Sequence, residues 1–225
     1  MEHIRLKVSG LKRVFNRRTV FSGVGFEMEE RDSLAVTGRN GSGKSTLLKI
    51  IAGVLAPTRG SIYFSLDSEA ITSDWRYRYI GFVAPYLQLY DEFSAVENLD
   101  FFQKARGLRN GRPHGELLER FGLGERKNDP LRTYSSGMKQ RVKYAFALLH
   151  DPPVLLLDEP TSNLDSAGIE IVYGIIEEQK KGGIVIVATN NAEDFPHCDR
   201  LLNLDSLGLD SPGPDTLRPD SPLTA

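Results

Sequence analysis

The sequence predicts an α/β fold on a mostly parallel sheet, with an antiparallel β layer at its N-terminus and a helical lobe inserted in its middle. Three observations carry that reading. The glycine-rich loop Gly38-Arg39-Asn40-Gly41-Ser42-Gly43-Lys44-Ser45-Thr46 lies between a short apolar strand and a segment with helical apolar spacing. Val154-Leu155-Leu156-Leu157 is an unbroken apolar run ending in Asp158-Glu159, as in a strand covered on both faces. Residues 86–150 between them place apolar side chains mostly at helical intervals.

Each element follows from local pattern. Ile4, Leu6 and Val8 alternate as a half-buried strand. A second strand follows the Asn16-Arg17-Arg18 turn, reaches Met28, and ought to pair antiparallel with the first. Ser33–Thr37 is a strand and Thr46–Ala52 a helix. Strands are expected at Gly60–Leu66 and Tyr79–Ala84. Trp75-Arg76-Tyr77-Arg78-Tyr79 reads as a strand edge with arginine stems lying along apolar surface, in preference to a nucleic-acid stripe. Ala95–Arg106 carries the stripe Val96, Leu99, Phe102; Gly107–Gly115 is a Gly/Arg-rich loop; Glu116–Phe121 is a short helix. Met138, Val142, Ala145 and Leu149 share one helical face. A helix over Ala167–Lys180 and strands at Ile184–Ala188 and Arg200–Leu204 complete a folded domain of residues 1–204. Asp205–Ala225, rich in Asp, Ser, Pro and Gly, reads as a disordered tail.

Composition narrows the class. The 225 residues are ample for a core, and a net charge of −2 implies no nucleic-acid partner. The lone Cys198 excludes an internal disulfide and is a small apolar residue rather than a nucleophile. His3, His114, His150 and His197 lack metal-ligand spacing. No apolar run reaches the roughly 18 residues of a membrane span, and the N-terminus lacks a signal-peptide pattern. The expected location is cytoplasmic, peripheral on the inner face of a membrane through a partner.

The glycine-rich loop dictates chemistry. Its glycines let several N–H groups turn towards one anion, and the following helix adds the positive end of its dipole. Lys44 supplies a full charge for the outer phosphates, and the Ser45 hydroxyl is placed to ligate Mg²⁺. Asp158 is placed to hold the same ion, and Glu159 to orient and deprotonate the attacking water. Neighbours on a strand face opposite ways, so the chain must turn at once, and Pro160 is expected to make that turn. Phe15, just before the first turn, is either an adenine-stacking ring or an ordinary core or surface residue.

With these residues in hand, the chain over about 4–204 resembles the nucleotide-binding subunit of an ABC transporter. Gly38–Thr46 matches the Walker A motif, Val154–Glu159 the Walker B motif, and Ser162-Asn163-Leu164-Asp165 the D-loop. Tyr134-Ser135-Ser136-Gly137-Met138 stands where the family has Leu-Ser-Gly-Gly-Gln. Lys139-Gln140-Arg141 and Ser94–Leu99 are similar to the heme-exporter (cytochrome c biogenesis) and ABC-2-type branches, the former being the first expectation.

The resemblance implies the ABC ATPase fold, a phosphate-loop NTPase core, and ATP hydrolysis coupled to export. It implies ATP and Mg²⁺, a second cassette as homodimer partner, and an integral membrane permease. Glu159, Lys44 and Asn190 are then catalytic, and Asp158 and Ser45 hold the metal. Phe15 stacks on adenine. The loop residues Gly38, Arg39, Asn40, Gly41, Ser42, Gly43, Lys44, Ser45 and Thr46 hold nucleotide, while Ser135 and Gly137 contact the γ-phosphate of ATP on the other cassette. Soluble relatives in DNA repair or translation carry a long coiled coil or two cassettes, and this chain shows neither.

Three positions depart from the family pattern. Pro85 stands at the Q-loop glutamine, with Gln88 three residues on as a possible substitute. Ser136 and Met138 alter the signature. Asn190 replaces the switch histidine, and an amide carries no charge, so slow but real hydrolysis is expected.

Overall fold

The computed structural model of the chain describes residues 3–108 and 111–207. Its strands form two sheets. β1 (Ile4–Phe15) and β2 (Arg18–Glu29) pair antiparallel across a turn in which Asn16 and Arg17 both take left-handed backbone, φ 45° and 65°. β3 (Ser33–Thr37) belongs to the second sheet. β4 (Arg59–Leu66) lies on the other side of β1, and the short β5 (Glu69–Ala70) pairs with β4. β6 (Ile80–Val83), β7 (Val154–Asp158), β8 (Ile184–Ala188) and β9 (Arg200–Asn203) join β3 in a parallel sheet ordered β6-β7-β8-β3-β9. The expected parallel core and N-terminal antiparallel layer are both present.

The parallel sheet divides two apolar cores, and the strand period does the dividing. Val154 and Leu156 of β7, with Ile184 and Ile186 of β8, face the antiparallel sheet and α1 (Lys44–Ile51). Leu155 and Leu157, with Val185 and Val187, face the helices. These are α2 (Ala95–Ala105), α3 (His114–Arg120), α4 (Ser136–Leu148) and α5 (Ser166–Gln179). Every residue of β7 and β8 is buried, which is why neither strand shows apolar–polar alternation.

The α2 stripe buries Leu99, with Val96 and Phe102 packed partly against the same core. Its N-terminus is fixed by a capping box: the Ser94 hydroxyl accepts from Glu97 N–H, and Glu97 accepts from Ser94 N–H at 2.8 Å.

Some expectations are corrected. Ser73–Arg78 is a 3₁₀ turn, not a strand edge. The Arg76 guanidinium is buried and donates to the Ile62 carbonyl at 3.0 Å, while Arg78 stacks on Trp75. With Arg76 turned inward to carbonyls and Arg78 lying on an exposed ring, the segment coils instead of extending. His114 and Gly115 belong to α3 rather than the preceding loop, in which Arg109 and Asn110 lie outside the described residues. The start of the expected tail is ordered: Leu204–Ser206 form a 3₁₀ turn, and Gly208–Ala225 lie outside the described residues.

Candidate nucleotide site

Strand order builds the site. β7, β8 and β3 are consecutive in the sheet, so Asp158, Thr189 and Gly38 emerge side by side at their C-terminal ends. Open parallel sheets bind ligands at that edge. α1 starts at Lys44 with no acidic residue and no side-chain cap in its first turn, which leaves its N–H groups available to an anion. Gly43 is the glycine the curl requires: its φ is 103°, and a Cβ there would stand 2.5 Å from Val20 Cγ1. Lys44 is only 6% exposed, and its Nζ donates to the Gly38 carbonyl at 2.8 Å, poised across the loop mouth. A groove of about 800 Å³ runs beside the loop, lined by Arg18, Val20, Asn40, Gly41, Ser42 and Asp205 among others. Arg39 is held from outside, its backbone N–H donating to Asp205 at 2.7 Å. Sequence reading missed Asp205 because nothing local marks a carboxylate whose partner lies 166 residues away.

Asp158 has the strand parity of Val154 and Leu156 and so faces α1. It is 1% exposed, and its Oδ1 has no hydrogen-bond partner among the described residues. Burial raises its pKa; the Ser45 hydroxyl, Lys49 and Lys44 pull it back. An unsatisfied buried carboxylate oxygen beside a hydroxyl is the donor set a hard divalent cation accepts, so the residues fit Mg²⁺. No three His, Cys, Asp or Glu side chains among the described residues are grouped so as to hold a metal, so phosphate and water oxygens would fill the other positions.

Glu159 makes the turn itself, and Pro160 only follows. Its φ is 50°, in the left-handed region that costs a non-glycine residue. The strain is held by its N–H on the Ala188 carbonyl at 2.8 Å and by the Ser162 hydroxyl on its own carbonyl at 2.8 Å. Asp158 and Glu159 are consecutive carboxylates, and the charge of Asp158 bears on Glu159. Burial raises the Glu159 pKa first, Lys44 lowers it, and Asp158 and Asp194 raise it further.

At the Q-loop position, Pro85 offers only its carbonyl, which accepts from Lys143 Nζ of α4 at 2.8 Å. Gln88 turns away, lining a separate groove with Pro85, Ser136, Gln140 and Asn163. Tyr86 instead stands near Asp158, at the C-terminal end of β7. Lys49 Nζ lies 3.9 Å from its ring centroid, and burial together with the Asp158 charge pushes its hydroxyl pKa above the usual range. Asn190 reaches the loop: its Nδ2 donates to Asn40 Oδ1 at 2.9 Å.

Phe15 is 42% exposed at the end of β1, with the Arg13 guanidinium 4.1 Å over its ring, so one face is covered by a cation. Ser135 and Gly137 sit elsewhere. The Ser135 hydroxyl caps α4 by accepting from Met138 N–H at 3.2 Å, and a Cβ on Gly137 would lie 3.2 Å from the Asn163 carbonyl. Arg141 binds both oxygens of Asp165 at 3.1 and 3.2 Å, joining α4 to the start of α5. Ser135 and Gly137 therefore contact their own helix and the Ser162–Asp165 segment, not the glycine-rich loop.

Known proteins are similar to this chain in sequence and in fold. The family profile described as ABC transporter matches residues 21–162. A linearmycin resistance ATP-binding protein of Bacillus subtilis is 30% identical, over 89% of this chain and 66% of its own length. A lantibiotic transport ATP-binding protein of Streptococcus pyogenes is 35% identical, over 83% of this chain and 80% of its own. Among solved structures, a dimeric post-hydrolysis state of the ATP-binding cassette MJ0796 bound to ADP and Pi superposes with a TM-score of 0.78 at 25% identity, covering 88% of this chain and 94% of that one.

Proposed function

Because the chain belongs to the ABC transporter family of ATP-binding subunits and is an ATPase, we propose that it works as a dimer of cassettes driving export through a membrane permease. The observation that carries this reading is the convergence of Lys44, Ser45, Asp158 and Glu159 at one sheet end, with Ser135 and Gly137 on a separate surface. One chain can grip a triphosphate and cannot close over it. A second copy presenting its Ser135 and Gly137 completes the enclosure.

On this reading the residues act in sequence. First-turn N–H groups of α1 and Lys44 Nζ bind the outer phosphates, Lys44 leaving the Gly38 carbonyl to do so. Ser45 and Asp158 would hold Mg²⁺, which when bound neutralises charge on the phosphates. The Glu159 carboxylate takes a proton from water as its oxygen bonds to the γ-phosphorus and the bond to the β–γ bridging oxygen breaks. Asn190 offers one amide N–H to the transferred group. ADP and phosphate leave, and the two copies separate.

No described helix is long and apolar enough to cross a membrane; on this reading the permease supplies the membrane pathway. Exposed Tyr90, Phe93 and Phe101, with Phe101 edge to face on the other two, offer an aromatic docking surface on the helical lobe. The names of these two relatives favour an antibiotic-like cargo; heme export, which Lys139-Gln140-Arg141 and Ser94–Leu99 suggested, is an activity neither name carries.

Glu159→Gln tests the reading. With ATP and Mg²⁺ the variant should migrate as a dimer in size-exclusion chromatography, and with ADP as a monomer. A monomer under both conditions refutes the dimeric mechanism.

A further inference from the structure

Beyond raising the Glu159 pKa through its charge, Asp194 has no role in the chemistry above, yet it is completely buried at 0% exposure inside the 3₁₀ turn Ala192–His197. Its Oδ2 accepts from the Thr189 hydroxyl at 2.5 Å. Its Oδ1 accepts from the Tyr173 hydroxyl at 2.9 Å and the Thr161 hydroxyl at 3.2 Å. Those donors come from three separate segments. Thr161 lies two residues after Glu159, Thr189 immediately before Asn190, and Tyr173 on α5, where its ring stacks on His197 at 3.8 Å.

The bonds have a fixed direction. An ionised carboxylate only accepts, so all three hydroxyls point their protons at it. Their oxygens are then free to accept, and they do: Thr189 Oγ1 from Asn191 N–H at 2.9 Å, and Thr161 Oγ1 from the Asn191 side-chain amide at 3.4 Å. An asparagine at 194 would bring a donor into this shell and force at least one bond to reverse or break. As a stability device the arrangement is poor. The partners are hydroxyls rather than cations, and a buried charge without a counter-charge is outperformed by an apolar side chain of similar size.

Its value lies in what it connects. Glu159 holds a strained left-handed backbone, which persists only where the surroundings over-determine it. Asp194 ties the turn after Glu159 to the loop that carries Asn190.

We propose that Asp194 is a positioning residue for ATP hydrolysis: it clamps the Glu159 segment to the Asn190 segment so that carboxylate and amide keep one relative geometry. The proposal rests on the ATPase reading above. It places the effect in the chemical step, because the clamp touches neither the glycine-rich loop nor α1.

Asp194→Asn, Thr161→Val and Thr189→Val of the full chain test it, with kcat and KM for ATP, affinity for a fluorescent ATP analogue, and melting temperature. Asp194→Asn should keep KM and nucleotide affinity within about twofold while kcat falls about 10- to 100-fold, the scale of a small misplacement of reacting groups. Each valine variant should lose a smaller part of kcat, and Thr189→Val should add little to Asp194→Asn. Unchanged kcat in Asp194→Asn, or a kcat loss matched by loss of affinity, overturns the proposal. Should Asp194→Asn not fold, the valine variants decide, and full kcat in both overturns it. Absence of turnover in the unsubstituted chain sinks the ATPase reading and the clamp together, which separates that failure from failure of the clamp alone.

Discussion

Asn190 Nδ2 donates to Asn40 Oδ1 at 2.9 Å, so the switch position at the end of β8 is hydrogen-bonded to the glycine-rich loop after β3. A neutral amide can hold that contact at any pH and cannot supply a cation to the γ-phosphate. Asn190→His should therefore raise steady-state ATPase of the assembled transporter, by about tenfold if charge on the γ-phosphate is what the site lacks. Equal rates for the two proteins remove Asn190 as the cause of slow turnover.

Lys44 is a buried cation that donates to the Gly38 carbonyl. Lys44→Ala should weaken ATP binding about 10- to 100-fold, the worth of a charge-assisted bond of about 1.5–3 kcal/mol. Titration of a fluorescent ATP analogue measures this. Unchanged affinity would show that the loop holds no triphosphate.

Tyr86, rather than Gln88, stands beside Lys49 and within reach of the Asp158 charge. Tyr86→Phe keeps the ring on Lys49 and removes the hydroxyl. The Mg²⁺ concentration for half-maximal ATPase should rise about threefold, a change of under about 1 kcal/mol. Gln88→Ala should leave it unchanged. The reverse pattern would return the Q-loop role to Gln88.

His150 gives a pH dependence. Burial first, then the neighbouring Arg106, lowers its pKa from 6.5 to about 4. The unfolded chain thus binds more protons between those values, and stability falls as pH drops from about 6.5 towards about 4. The total is roughly 3 kcal/mol at most. Melting temperatures across that range should decline less steeply in His150→Gln, and parallel curves would exclude His150 as the sensor.

Much of this was legible in residue order. The glycine-rich loop lies where its motif demands, and Ser33–Thr37 and Ile184–Ala188 are strands at the predicted residues. What escaped were contacts that join distant segments. Asp194 and Thr161 are 33 residues apart, and no local pattern marks them as partners. In the sequence Tyr86 marks only the entrance to a helical block, since its place near Asp158 depends on β6 pairing with β7. Glu159 was expected to follow the strand until Pro160, because left-handed backbone at a glutamate has no sequence signal. Trp75–Arg78 misled because alternating aromatic and basic residues fit an edge strand and a coiled turn equally well.

The hydrogen bond between Asp205 and the backbone of Arg39 bears on how this polypeptide is handled at the bench. A version cut back to the last strand, ending at Asn203, would look complete by its secondary structure and would lack this anchor. An affinity tag is better fused at the opposite terminus, where β1 begins in the other sheet.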